Sequence, residues 1–191
     1  MKLVFATHNA NKSKEIQSVL SSEIEILTLT DIGCHDDIPE TADTLEGNSL
    51  LKAQFVANHF KFNCFADDTG LEIEALNGRP GVYSARYAGE EKSADANMNR
   101  VLLELENESN RKAQFRTVIT LILGSETHVF EGIVKGEMSS SKSGTDGFGY
   151  DPIFIPEGQT KTFAEMSMAE KNQQSHRARA FNKMIDFLKK G

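Results

Sequence analysis

The run Ala66-Asp67-Asp68-Thr69-Gly70-Leu71 constrains this chain more than any other segment. Two adjacent carboxylates close a short apolar stretch. Phe62, Cys64, Phe65 and Ala66 read as a buried strand, and Leu71, Ile73 and Ala75 alternate as the next one. A core cannot absorb two acids without a cation or a hydrogen-bond donor. The reading is therefore a break between strands, with both acids at the lip of a cleft where a divalent metal or an activated water would use them. A solvated Asp-Asp-Thr-Gly turn accounts for the same letters, so the rest of the sequence has to decide.

The 191 residues suit a single domain, 1–191, with room for two lobes and a sizeable core. With 39% hydrophobic and 26% charged residues, the chain reads as globular rather than disordered. A formal net charge of -7 argues against nucleic acid as a partner, because sequence-independent binding needs a basic surface. A small phosphorylated ligand remains open, since local lysines, a helix N-terminus and a bridging metal can hold one. Cys34 and Cys64 are too few for a disulfide framework and are not spaced as a metal site. No run reaches transmembrane length, and Met1–Ala6 lacks the apolar stretch of a signal peptide. The expectation is a cytoplasmic protein with no membrane partner.

Leu3–Ala6 reads as a strand, Lys12–Leu20 as a helix with Ile16, Val19 and Leu20 on one face, and Glu23–Leu29 as a second strand. An acidic loop, Asp31–Asp43, leads into a helix over Thr44–Phe60 carrying Ala53, Val56, Ala57 and Phe60 at helical spacing. Asn77-Gly78-Arg79-Pro80-Gly81 is a turn. Met98, Val101, Leu102 and Leu105 mark a third helix. Phe115–Leu123 reads as a central strand, with Val129–Glu137 beside it. A Ser/Gly loop over Ser139–Gly149 precedes a short strand at Pro152–Ile155. Ser167 with Glu170 fits a capping box, and Ala178, Phe181, Ile185 and Leu188 face inward on a terminal helix. Helices alternate with strands early and strands run consecutively later, which predicts an α/β fold with a mixed sheet.

The turn Thr7-His8-Asn9-Ala10-Asn11-Lys12 has the makings of an anion site: free N–H groups at a helix start, two asparagines and a lysine. It is not a P-loop, and Asn11 as a plain N-cap fits equally. Lys52 lies on an otherwise apolar helix. Glu40, in an acidic loop, reads as solubilising charge; if placed near Asp68 it would complete an oxygen-only Mg²⁺ site, since Mg²⁺ takes one or two carboxylates plus waters and phosphate oxygens. Phe148 and Tyr150, set among glycines, offer rings on which a base can stack; the same letters also suit a hairpin with its aromatics buried. Lys171, His176 and Arg177 form a third polar cluster at the start of the last helix; Ser175-His176-Arg177 also suits a plain helix start.

Taken together, these segments resemble the inosine triphosphate pyrophosphatase family over nearly the whole chain. The resemblance rests on Thr7–Lys12, Asn48–Ala53, Ala66–Leu71, Gly81-Val82-Tyr83-Ser84-Ala85-Arg86-Tyr87, Phe148–Pro152, Lys171-Asn172 and Ser175-His176-Arg177. It implies an elongated mixed sheet flanked by helices, two lobes with a substrate cleft between them, and a homodimer. It further implies that Thr7, His8, Asn9, Ala10, Asn11, Lys12 and Lys52 hold the triphosphate. Asp68 would be the catalytic carboxylate and, with Glu40, a Mg²⁺ ligand. Thr69 would touch substrate; Phe148, Gly149, Tyr150 and Asp151 would cradle the nucleoside; and Lys171, His176 and Arg177 would reach phosphate and base. Two positions depart from the family's pattern: Gly47 stands where a Glu is common, and His8 where a Gly is frequent.

The implied reaction is hydrolysis of ITP, dITP or XTP to the monophosphate and pyrophosphate, which keeps such nucleotides out of DNA and RNA. Water attacks the α-phosphorus, while Mg²⁺, Lys12 and Lys52 neutralise the leaving pyrophosphate. Asp68 serves either as proton acceptor or as the ligand that orients a metal-bound hydroxide, and both readings stay open. A non-catalytic nucleotide sensor or a phosphatase releasing orthophosphate are the rivals, and the released product separates all three.

Overall fold

The computed structural model describes residues 1–17 and 24–190. Among these residues, seven strands and five α-helices follow in the order β1 (Lys2–Phe5), α1 (Ala10–Gln17), β2 (Glu25–Leu27), α2 (Leu45–Phe60), β3 (Cys64–Ile73) and β4 (Pro80–Gly81). These are followed by α3 (Ala94–Glu104), β5 (Lys112–Leu123), β6 (Glu126–Met138), β7 (Phe154–Pro156), α4 (Met168–Gln174) and α5 (His176–Leu188). Strands hydrogen-bond in the order β2-β1-β3-β5-β6-β7, with β4 beside β3. The sheet is mixed as expected: β1 runs parallel to β2 and β3, whereas β3–β4 and β6–β7 are antiparallel.

The chain forms two compact units. The first comprises Met1–Asp68, Thr117–Gly132 and Arg177–Gly191. Its parallel strands β1 and β3 bury apolar side chains on both faces. Leu3, Phe5, Phe65, Ile119 and Leu121 pack with Ile16 of α1 and Ala180, Phe181 and Met184 of α5. Val4, Ala6, Cys64 and Ala66 pack with Ala53 and Val56 of α2. Phe5 stacks on Phe65 with ring centroids 4.5 Å apart. The second unit, Thr69–Arg116 with Ile133–His176, has its own core. Leu71, Phe115, Val134, Met138 and Phe154 of its strands meet Met98, Val101 and Leu105 of α3 there.

Several expectations change. β3 is one unbroken strand through Asp67-Asp68, not two strands with a break. The acids stay in the ladder because cations from elsewhere in the first unit pair with them. Phe62 is exposed outside β3, and Ala75 falls in a 3₁₀ turn, Glu74–Leu76. α1 starts at Ala10, two residues earlier than read, because Asn9 rather than Asn11 accepts at its N-terminus: Asn9 Oδ1 takes Asn11 N–H at 3.0 Å and Lys12 N–H at 3.3 Å. Val19, Leu20 and Glu23 lie outside the described residues. β2 stops at Leu27, where the Asp31 carboxylate accepts from Thr28 N–H at 2.7 Å and turns the chain. The strand placed at Pro152–Ile155 is a 3₁₀ turn, Asp151–Ile153, followed by β7. Two readings near the C-terminus hold: the Ser167/Glu170 capping box opens α4, and the last helix, α5, starts at Ser175-His176-Arg177.

Candidate active site

In the first unit, β1 delivers the Thr7–Lys12 turn, β3 delivers Asp67 and Asp68, α2 delivers Lys52 and α5 delivers Arg177. Alternation along β3 puts the two carboxylates on opposite faces, and each meets its own cations. Lys12 Nζ donates to Asp67 Oδ1 at 2.9 Å and Arg177 Nε to Asp67 Oδ2 at 3.1 Å. Arg177, only 2% exposed, also pairs with Glu15 of α1. Burial alone would raise the Asp67 pKa, but Lys12, Arg177 and Lys52 hold it well below the usual carboxylate range. Asp67 is thus a fixed anion that organises two cations.

Asp68 is in a different state. Lys52 Nζ lies 2.6 Å from Glu40 Oε1 and 3.5 Å from Asp68 Oδ1. Asp68 Oδ2 is buried and has no hydrogen-bond partner among the described residues. Burial pushes the Asp68 pKa up, with Glu40 and Asp67 adding to it and Lys52 and Lys12 opposing. A buried oxygen without a donor fits a metal ligand or a proton acceptor. Asp68 and Glu40 would match in number the one or two carboxylates that Mg²⁺ typically takes from a protein. No group of three His, Cys, Asp or Glu suited to a metal occurs among the described residues, so any ion here completes its shell with water or ligand oxygens.

The other positions read from the sequence are placed as follows. Thr7 Oγ1 accepts from Asn9 N–H at 3.2 Å, and the His8 ring contacts the Asp36 carbonyl at 3.0 Å. Two N–H groups expected to face an anion, those of Asn11 and Lys12, are already held by Asn9, and Ala10 begins α1. The departure at Gly47 has a steric cause: a Cβ there would lie 2.5 Å from the Ala42 Cβ. That crowding comes with the loop being drawn onto α2, Ala42 N–H donating to Asn48 Oδ1 at 2.9 Å. Thr69 follows Asp68 on β3 and is half-buried.

The second unit holds the aromatic loop. The Asp151 carboxylate accepts from Phe148 N–H and from Lys171 Nζ, each at 2.7 Å. Gly147 has φ +73°, and a Cβ there would lie 2.1 Å from Asp151 Oδ2, so only glycine lets that carboxylate close the loop. Lys171 Nζ stands 4.9 Å above the half-buried Phe148 ring. Tyr150 is no exposed stacking surface: it is 5% exposed, packs in the core, and donates its hydroxyl to the Ser84 carbonyl at 2.7 Å. Gly149 has φ +64° with open space around its Cα. His176 stacks on Phe115 with centroids 4.5 Å apart. Sequence reasoning missed Glu15, whose partner Arg177 lies 162 residues further along the chain. It singled out the segment holding Ser84 without giving that residue a role, and it missed Asn97.

A β-strand carrying paired acids, met by two lysines from neighbouring elements, is the arrangement of a protein of the phosphate-anhydride-handling kind. The Ham1 family matches residues 3–187. A dITP/XTP pyrophosphatase from Flavobacterium johnsoniae is 60% identical over 188 residues, covering 98% of each chain. A second, from Flavobacterium psychrophilum, is 56% identical over 189 residues, covering 99% of this chain and all of that one. The solved structure of a HAM1 protein from Coxiella burnetii superposes with a TM-score of 0.92 at 36% identity, covering 100% of both chains. The chain belongs to the Ham1 family.

Proposed function

We propose that this chain is a Mg²⁺-dependent hydrolase that converts ITP, dITP and XTP to the monophosphate and pyrophosphate. The observation that carries the reading is Asp68: a buried carboxylate with one oxygen unpartnered, beside Lys52 and beside an Asp67 already neutralised by Lys12 and Arg177. A site built only to bind polyphosphate gains nothing from that extra anion. The relatives named as dITP/XTP pyrophosphatases support the same substrate class.

In this mechanism Asp68 holds the attacking water and accepts its proton, a role helped by a pKa raised through burial. Water attacks the α-phosphorus, the bond to the bridging oxygen breaks, and pyrophosphate leaves. Lys12 and Lys52 lie where negative charge builds on the leaving group. Asp68 and Glu40 would hold Mg²⁺, which supplies Lewis-acid stabilisation of the phosphate oxygens when bound. Thr7–Lys12 and Thr69 line the phosphate end. Phe148, Gly149, Tyr150 and Asp151 receive the nucleoside, with Lys171 and His176. The Tyr150 contribution is through its main chain, since its ring is in the core.

Base choice follows from Arg177 and His176. Arginine has donors and no acceptor, so it matches a 6-oxo purine and mismatches the 6-amino group of adenine. Such a mismatch leaves buried polar groups unpaired and discriminates strongly. Arg177 is fixed by Asp67 and Glu15, so its donors keep one orientation. Guanine is turned away at its 2-amino group by the main chain of Phe148–Asp151. We further take the working form to be a homodimer in the cytoplasm, with residues 1–191 acting as one catalytic domain; light scattering on the purified chain checks the dimer. Parallel kcat/KM values for ITP, dITP, XTP, GTP and ATP test the substrate assignment. ITP, dITP and XTP should lie well above GTP, with ATP lowest; equal efficiency on ATP and ITP overturns it.

A further inference from the structure

Of the segments singled out in the sequence, Gly81–Tyr87 has no part in the chemistry above, yet its main chain is unusually well tied. Asn97 of α3 is buried and spans the turn: its Nδ2 donates to the Ala85 carbonyl at 3.0 Å and to the Ser84 carbonyl at 3.4 Å. Its Oδ1 accepts from Ala88 N–H at 2.6 Å. Ser84 binds the turn to β3, its Oγ donating to the Gly81 carbonyl at 2.6 Å and accepting from Leu71 N–H at 2.8 Å. The same Ser84 carbonyl receives the Tyr150 hydroxyl. Tyr150 then closes the aromatic loop, because its carbonyl accepts from Ile153 N–H at 3.0 Å and the Phe148 carbonyl accepts from Asp151 N–H at 3.3 Å.

We propose that Asn97 and Ser84 are positioning residues for nucleoside recognition, setting the Phe148–Asp151 loop through the Tyr150 hydroxyl. The inference rests on the nucleoside role given to that loop above. The loop is held from two sides: Asp151 with Lys171 fixes its main chain at Phe148, and the Asn97–Ser84–Tyr150 chain fixes the far end. Three hydrogen bonds converging on one turn from a single buried amide are more than the turn needs to form, since Tyr83 N–H and Arg86 N–H already bond back, to the Pro80 and Tyr83 carbonyls. What they add is a fixed carbonyl for Tyr150. A loop so fixed meets a flat base without first being ordered, which lowers the cost of binding.

The test uses Tyr150→Phe, which deletes one hydroxyl, and Asn97→Ser, which withdraws the clamp. In both, KM for ITP should rise about fivefold to tenfold, the equivalent of one buried hydrogen bond, and by much more than kcat falls. Competitive inhibition by tripolyphosphate, which lacks a nucleoside, should stay within about twofold of wild type on the same reasoning. In the nucleotide-free protein, the amide NMR signals of Gly147, Phe148 and Gly149 should shift in both variants. The double variant should lose no more than the larger single loss, as expected of groups acting in one chain. Unchanged KM in folded Tyr150→Phe, or KM and the tripolyphosphate constant rising together, overturns the proposal. If Asn97→Ser fails to fold, Tyr150→Phe carries the decision alone. A wild-type protein inert towards every nucleotide would sink the proposed function instead; the amide shifts would then still decide the positioning role, their absence refuting it.

Discussion

Replacing Asp67 with Asn tests whether the paired acids in β3 are tolerated for the reason given. Asp67 is 1% exposed and meets Lys12 at 2.9 Å and Arg177 at 3.1 Å. Asn keeps the shape and one acceptor, but it leaves the Lys12 ammonium buried without its carboxylate. Removing one partner of a buried pair costs about 3–5 kcal/mol; the retained acceptor places Asp67→Asn near the lower end, about 3 kcal/mol. That is a large share of the roughly 5–15 kcal/mol that holds a domain together. For a chain of this length it lowers Tm by about 6–12 °C. The pH dependence has a definite sign. The Asp67 pKa is lowered in the folded chain, so its contribution is full above the unfolded value near ~4 and is lost as pH falls through the folded one. Thermal and urea melts of wild type and Asp67→Asn, followed by circular dichroism in metal-free buffer, should differ by a constant amount from pH ~5 to ~8 and converge only in stronger acid. Loss of less than about 0.5 kcal/mol, the size of an ordinary surface change, refutes the compensation argument.

Asp68→Asn should fold like wild type and lose nearly all turnover, because the carboxamide is nearly isosteric but neutral; wild-type kcat in the folded variant removes Asp68 from the chemistry. Turnover should vanish in excess chelator and return with Mg²⁺, while Ca²⁺, larger and tolerant of irregular shells, should restore nucleotide binding by calorimetry better than rate. Full activity in chelator contradicts a metal at Glu40 and Asp68. Gly47→Ala should destabilise by about 1–3 kcal/mol through overpacking, because its Cβ would fall 2.5 Å from that of Ala42; a neutral urea midpoint shows that the loop gives way.

Local periodicity carried much of the fold. α2 was legible because Ala53 and Val56 recur at helical spacing and do face the core, and α3, β5 and β6 followed from similar patterns. β3 was not legible as one strand. Its alternation is interrupted by two acids: the partners of Asp67, Lys12 and Arg177, lie 55 and 110 residues away in sequence, and Lys52, beside Asp68, lies 16 away. The same limit applies to Tyr150: glycines on its N-terminal side suggest an exposed ring, whereas its hydroxyl finds Ser84 66 residues away. The start of α5 was legible too, because Ser175 ahead of His176-Arg177 reads as a helix start and α5 does begin at His176. Motif recognition named Lys12, Lys52, Glu40 and Asp68 together, and those four do gather in one unit. Residues that only position others, Glu15, Ser84 and Asn97, have no chemistry of their own to betray them.

The most direct measurement is the product of ITP hydrolysis in water enriched in heavy oxygen. Asp68-directed attack on the α-phosphorus predicts one pyrophosphate per IMP, no orthophosphate, and the label in IMP alone. Orthophosphate release, or label recovered in pyrophosphate, places the attack at another phosphorus and contradicts the account.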